Sequence, residues 1–207
     1  MKKAKVLLCL AAVLSLLCST VLAHELAKPV RWSIMVRNRY TMRVNYNQLS
    51  SNSPYRSAIG TAMSAWNNPS QSLKVQCFYD SSISTSTVDI VTVSSDNTWK
   101  NLGFDPSADA MTRLTDTNNY SFTSVQGATS STGKIKYASV FVHPNDGRDM
   151  DDEQRQVTLA HEIGHCWGLG HAPYSTDSIM ISPYLERIKC KLYSHDINDI
   201  RNFYGTP

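Results

Sequence analysis

Residues His161-Glu162-Ile163-Gly164-His165-Cys166-Trp167-Gly168-Leu169-Gly170-His171 constrain this chain more tightly than any other stretch. They read H-E-x-x-H-x-x-G-x-x-H. On a helix, histidines four apart sit about 40° apart and one turn above each other, so both imidazoles can grip one metal ion. Glu162 lies about 100° round from His161, within reach of a water on that metal without being a ligand. Gly168 has no Cβ and can take the left-handed conformation that ends a helix. The chain can then turn and bring back His171 as third ligand. Three protein ligands leave the fourth position of tetrahedral zinc open, which marks a catalytic site rather than a structural one.

H-E-x-x-H alone is a weak signal. The glycine and the third histidine lower its chance occurrence to roughly one chain in 10⁵. A structural zinc site would leave Glu162 without a task and lacks a fourth protein ligand. Solvated or core histidines on an ordinary helix are the other bland reading. Cys166 beside His165 projects in a different direction from it and is not needed as a ligand.

The opening residues read as a targeting segment. Lys2, Lys3 and Lys5 form a basic start, an apolar run follows from Val6 to Leu17, and Val21-Leu22-Ala23 suits a signal peptidase. The expected division is a signal peptide over 1–23 and one domain over 24–207. An uncleaved membrane anchor is the alternative, with the run near the lower length limit for a span. The formal charge of +3 comes from those three lysines. The rest of the chain is balanced and argues for neither nucleic acid nor an anionic surface as partner. Cys77, Cys166 and Cys190 remain after cleavage, an odd number for an exported chain. Cys77 with Cys190 is the expected pair, since Cys166 is held in the motif helix; three reduced thiols are the alternative.

The histidine motif resembles the signature of the metzincin zinc endopeptidases, whose other mark is a downstream methionine turn. Ser178-Ile179-Met180 fits that turn. The resemblance implies that Met180 lies beneath the metal as an apolar floor. Within metzincins the chain looks most like a matrixin. Its end, Tyr193-Ser194-His195-Asp196-Ile197-Asn198-Asp199-Ile200-Arg201-Asn202-Phe203-Tyr204-Gly205, is similar to the closing helix of matrixin catalytic domains. Ser194 suits the N-cap, Asp196 suits the helix start, and Ile197, Ile200 and Tyr204 share an apolar face. By resemblance, Asp196 anchors the methionine turn, and Tyr184 lies in the specificity-pocket wall. Matrixins usually carry two adjacent aspartates here, whereas this chain has His195 at the first. Ala172-Pro173 follow the third histidine, where matrixins commonly have serine. Ser182 stands where serralysins and astacins have a switch tyrosine. Eight residues separate Ala23 from Trp32, so neither a matrixin pro-domain nor its inhibitory cysteine segment is expected.

Alternation over 31 to 46 predicts a strand or hairpin. Ile59, Met63 and Trp66 predict a helix over Tyr55 to Trp66, with Pro54 near its start. Strands are expected at Leu73 to Tyr79, Val88 to Val93, Ala108 to Leu114 and Lys134 to His143, the last with Ile135, Tyr137, Ser139 and Phe141 on one face. Asp152 to Trp167 is the metal-site helix. This order matches the matrixin catalytic fold. The expectation is therefore an α+β domain with a twisted mixed five-stranded sheet. An upper part (24–171) carries sheet and metal helix; a lower part (172–207) carries the methionine turn and final helix. The resemblance places the cleft edge at Ala108, Asp109, Ala110, Met111 and Thr112, where a peptide would add as a strand. Ser81 to Thr87 and Asp116 to Thr132 are expected as polar loops, the second overhanging the cleft. The acidic loop 145–153 is a candidate calcium site, although its spacing is not that of an EF-hand.

These features predict a secreted, monomeric zinc-dependent endopeptidase acting on peptides or proteins, with no stable membrane association after cleavage. His161, His165 and His171 hold the zinc, and Glu162 is general base and acid. Two alternatives belong to other classes. One is an exported binding module on a metzincin frame. The other is a zinc amidase acting on cell-wall peptides.

Overall fold

Strand β8 (Lys134–Val142) is the centre from which the layout follows. Ala138, Val140 and Val142 are buried on one face, while Tyr137, Ser139 and Phe141 on the other are only partly covered. Ile135 joins the buried face through a register shift: Thr115 pairs with Tyr137 but Asp116 pairs with Ile135. One extra residue in a strand inverts the alternation beyond it. The expected face of Ile135, Tyr137, Ser139 and Phe141 is thus split, and its larger part lies away from the main core.

The computed structural model describes residues 31, 32, 35, 36, 38–68, 72–123, 133–144, 149–182 and 188–206. The remaining strands are β1 (Arg31–Trp32), β2 (Met35–Val36), β3 (Arg39–Asn45), β4 (Val75–Tyr79), β5 (Val88–Thr92), β6 (Ala110–Asp116) and β7 (Ser121–Phe122). The helices are α1 (Ile59–Asn67), α2 (Asp96–Asn101), α3 (Asp152–Cys166) and α4 (Ser194–Tyr204). The sheet is mixed and runs β2-β3-β5-β8-β6-β7, with β4 on β3 and β1 on β8. Among the described residues it has eight strands, where five were expected. β3, β4, β5, β6 and β8 are those five; β1, β2 and β7 add two residues each. β3, β4, β5 and β8 are parallel to their neighbours in that group, and β6 runs antiparallel to β8.

Helices α1 and α3 pack on the core face. Ile59, Ala62, Met63 and Trp66 are buried from α1, and the Trp66 indole donates to the Ala160 carbonyl of α3 at 3.0 Å. α1 starts at Ile59 because 54–58 are spent in turns, four residues later than the Pro54 signal suggests. α3 starts on a capping box: Gln154 N–H donates to Asp151 Oδ1 at 2.7 Å and Asp151 N–H to Gln154 Oε1 at 2.8 Å. α4 begins at Ser194, so the N-cap is Tyr193 rather than Ser194. Asp196 supplies the bond there, accepting from Tyr193 N–H at 2.8 Å.

α2 has no counterpart in the expectations. It is six residues long, too short for periodicity to show, and Ser95 caps it. Its Trp99 packs with Val93 and Phe104, flanked by Met111 and Phe141, in a second small core. Phe141 and Met111 turn their side chains there from the face opposite Val140 and Val142. Cys77, Cys166 and Cys190 are all free thiols, so the expected pair of Cys77 with Cys190 is not formed. Burial raises all three thiols above the ordinary cysteine range, as suits inert structural cysteines. Ser121 and Phe122, expected in a loop, pair with Thr115 and Leu114 instead. The expected signal segment, Tyr184 and most of the loop expected to overhang the cleft lie outside the described residues. Among the described residues, no helix is long and apolar enough to cross a membrane.

Candidate metal centre

The end of α3 is built by Gly168. Its φ is +86°, a value that disfavours a residue with a Cβ. Leu169 N–H donates to the Gly164 carbonyl at 3.1 Å and Gly168 N–H to the His165 carbonyl at 2.9 Å. These are the 6→1 and 5→2 bonds of a Schellman turn. The turn reverses the chain and also aims the Leu169 carbonyl at the helix it has just left. His165 Nδ1 donates to that carbonyl at 2.7 Å. His161 Nδ1 donates to the Ile179 carbonyl at 2.9 Å. A carbonyl only accepts, so both Nδ1 atoms carry a proton, and in the neutral rings Nε2 is left with the lone pair.

His161, His165 and His171 converge, with one ligand atom from each within 4.8 Å of the others. His165 Nε2 and His171 Nε2 are 3.2 Å apart. Two ligands of tetrahedral zinc at about 2.0–2.1 Å lie about 3.3 Å from each other, so this spacing fits one shared ion. Cys166 is fully buried and is not in the cluster.

Glu162 sits on the neighbouring face of α3 with 6% of its surface exposed. Burial pushes its carboxyl up to about 7; the Thr112 hydroxyl pulls it back, and the Asp109 charge adds to the rise. Thr112 Oγ1 lies 2.6 Å from Glu162 Oε2 and 3.1 Å from the Glu162 carbonyl oxygen. A cleft of about 250 Å³ opens at this point, lined by Ala108, Asp109, Ala110, His161, Glu162 and Ser182 among others.

Met180 is fully buried beneath the helix. A Cβ on Gly164 would overlap its sulfur and meet Trp66 at 3.0 Å. Gly164 therefore admits the methionine, a role invisible while that position reads as a free x in the motif. Asp196 is buried and accepts from the Ser178 hydroxyl, from Ile179 N–H at 3.1 Å and from Tyr193 N–H. Ser178 Oγ accepts in turn from Met180 N–H at 2.9 Å. This network holds the Ile179 carbonyl that orients His161.

Of the expected cleft-edge residues, only Ala110, Met111 and Thr112 are in a strand; Ala108 and Asp109 precede it. Beyond β8, β6 is paired by β7 at Leu114 and Thr115, and among the described residues Ala110 to Arg113 have no strand on that side. The Thr112 side chain is 3% exposed and bonded to Glu162, so it does not face a substrate. Met111 packs in the second core. Of the acidic loop named as a calcium candidate, residues 145–148 lie outside the described residues; Asp151 caps α3, Asp152 pairs with Arg155 and Glu153 with Lys189. His195 faces Asp199 at 3.5 Å within α4.

A family model described as Matrixin matches residues 31–205. No curated protein matches the chain.

Proposed function

Because the chain belongs to the matrixin family, a family of zinc-dependent metallopeptidases, we propose that it is a secreted, monomeric endopeptidase whose Glu162 is general base and general acid. The observation that carries this reading is the convergence of three histidines, two of them with Nδ1 committed to a carbonyl, next to a buried carboxylate at a cleft.

His161, His165 and His171 would hold zinc through Nε2. Bound zinc supplies a water-derived nucleophile at neutral pH and an electrophile for the scissile carbonyl. The chain's own residues do the rest. A peptide segment adds along the unpaired edge of β6 near Ala110, where backbone bonds fix its direction. Glu162 removes the proton of the attacking water at its free carboxylate oxygen and later delivers it to the leaving amine. A carboxyl raised toward neutrality by burial is suited to both tasks. Met180 and the turn 178–180 keep His161 in place from below.

The test is digestion of a peptide library by the zinc-loaded chain from His24 onward, with new termini read by mass spectrometry. Cleavage is expected for wild type and is expected to vanish with Glu162→Ala or chelator, while the variant keeps one zinc. A folded, zinc-bound protein that cuts nothing would instead favour a binding module or an amidase of narrow substrate range.

A further inference from the structure

We propose that Thr112 is the positioning residue for Glu162, fixing one carboxylate oxygen so that the other is presented to the reaction. The assignment rests on Glu162 being the base. Among the described residues, Thr112 supplies the hydrogen bond that this carboxylate receives, 2.6 Å from Oγ1 to Oε2. Both groups are buried, so water is a poor substitute partner. A glutamate on a helix has three freely rotating side-chain bonds, and a buried carboxylate without a donor is costly. The hydroxyl removes both difficulties by tying down Oε2 and leaving Oε1 free.

The hydroxyl is itself well placed. Thr112 lies opposite Val140 in the β6–β8 ladder, between Ala110 and Leu114, which are buried on the same face. β-Branching leaves few χ1 choices in a strand. The Glu162 carbonyl at 3.1 Å is a second acceptor for the same single proton, so the buried hydroxyl keeps a partner when Oε2 is not accepting. Thr112 is also on the strand whose bare edge is proposed to receive the peptide. The strand that aligns the substrate and the group that aims the base are then one rigid element.

Thr112→Val removes the hydroxyl at nearly constant shape, and Thr112→Ser keeps it. For zinc-loaded protein, Thr112→Val is expected to lower kcat about 10- to 100-fold while KM stays within about twofold. Thr112→Ser is expected to recover most of that loss, and both variants to keep one zinc per chain. Crystal structures of the same proteins provide a readout independent of turnover. The Glu162 carboxylate should leave its wild-type place in Thr112→Val and return in Thr112→Ser. An unchanged kcat in Thr112→Val, an equal loss in both variants, or a Glu162 that stays put without the hydroxyl would overturn the assignment. If wild type itself cuts no peptide, the peptidase reading fails, and the crystal structures alone decide whether Thr112 holds Glu162.

Discussion

Burial sets the chemistry of Glu162, and it also makes stability depend on pH. Unfolded, its carboxyl titrates near the ordinary value of 4.5; folded and metal-free, it titrates near about 7. Between those values the folded state holds a proton that the unfolded state has lost. The contribution of Glu162 to stability is therefore full below pH 4.5 and is lost as pH rises through about 7. A shift of this size corresponds to about 3 kcal/mol. Denaturant midpoints of chelated protein should fall over this window, and Glu162→Gln should flatten that fall. An identical slope in the variant would show that other groups carry it. Bound zinc should shrink the slope, because a nearby cation favours the carboxylate.

At the scale of elements, two turns orient two of the three clustered histidines. The Schellman turn after α3 presents the Leu169 carbonyl to His165, and the methionine turn presents the Ile179 carbonyl to His161. The second is held from α4 by Asp196, whose carboxylate serves Ser178, Ile179 and Tyr193 together. Asp196→Ala would leave three donors without that acceptor and free the carbonyl behind His161. Zinc affinity is expected to drop about 10- to 100-fold, the usual effect of losing a partner behind a ligand. Competition with a chromophoric chelator measures this directly. Unchanged affinity would mean that the turn keeps its shape without α4. The expectation from resemblance that Asp196 serves the methionine turn thus acquires a reason: the helix start and that turn share one carboxylate.

Across the whole molecule, the two described ends of the chain close on the metal helix. The Trp32 indole donates to the Cys166 carbonyl at 2.7 Å, Arg31 reaches the Phe203 carbonyl, and Tyr204 donates to the Trp167 carbonyl at 2.7 Å while accepting from Trp32 N–H. Thus β1, α4 and the end of α3 meet at one buried hydroxyl. Tyr204→Phe leaves a buried N–H and a carbonyl without that partner. The expected loss is about 2 kcal/mol, lowering Tm by about 5 °C. Calorimetry of the zinc-loaded variant checks it, and an unchanged Tm would show that the ends are held by apolar packing alone. His195 offers no carboxylate at the position where matrixins usually have the first of two aspartates. The contacts of Trp32 with Tyr204 and Cys166 join β1 to α4 and to the end of α3.

What the sequence determined by itself is local. Histidines four apart, the carboxylate between them and a glycine three beyond all follow from helix geometry, because each step spans a single turn of chain. The apolar spacing of α1 and the β-branched run of β5 were legible for the same reason. The Asp151–Gln154 capping box is local too, its two residues being three apart. Tertiary structure decided the rest. Thr112 meets Glu162 across 50 positions, and His161 meets the Ile179 carbonyl across 18. Gly164 matters only because Met180 arrives beneath it. The single face expected for Ile135, Tyr137, Ser139 and Phe141 is split because one bulged residue inverts an alternation that is otherwise local. Such pairings depend on sheet register and on how helices seat on the sheet. Those are settled by burying the whole apolar surface at once, and no window of one or two turns contains that information.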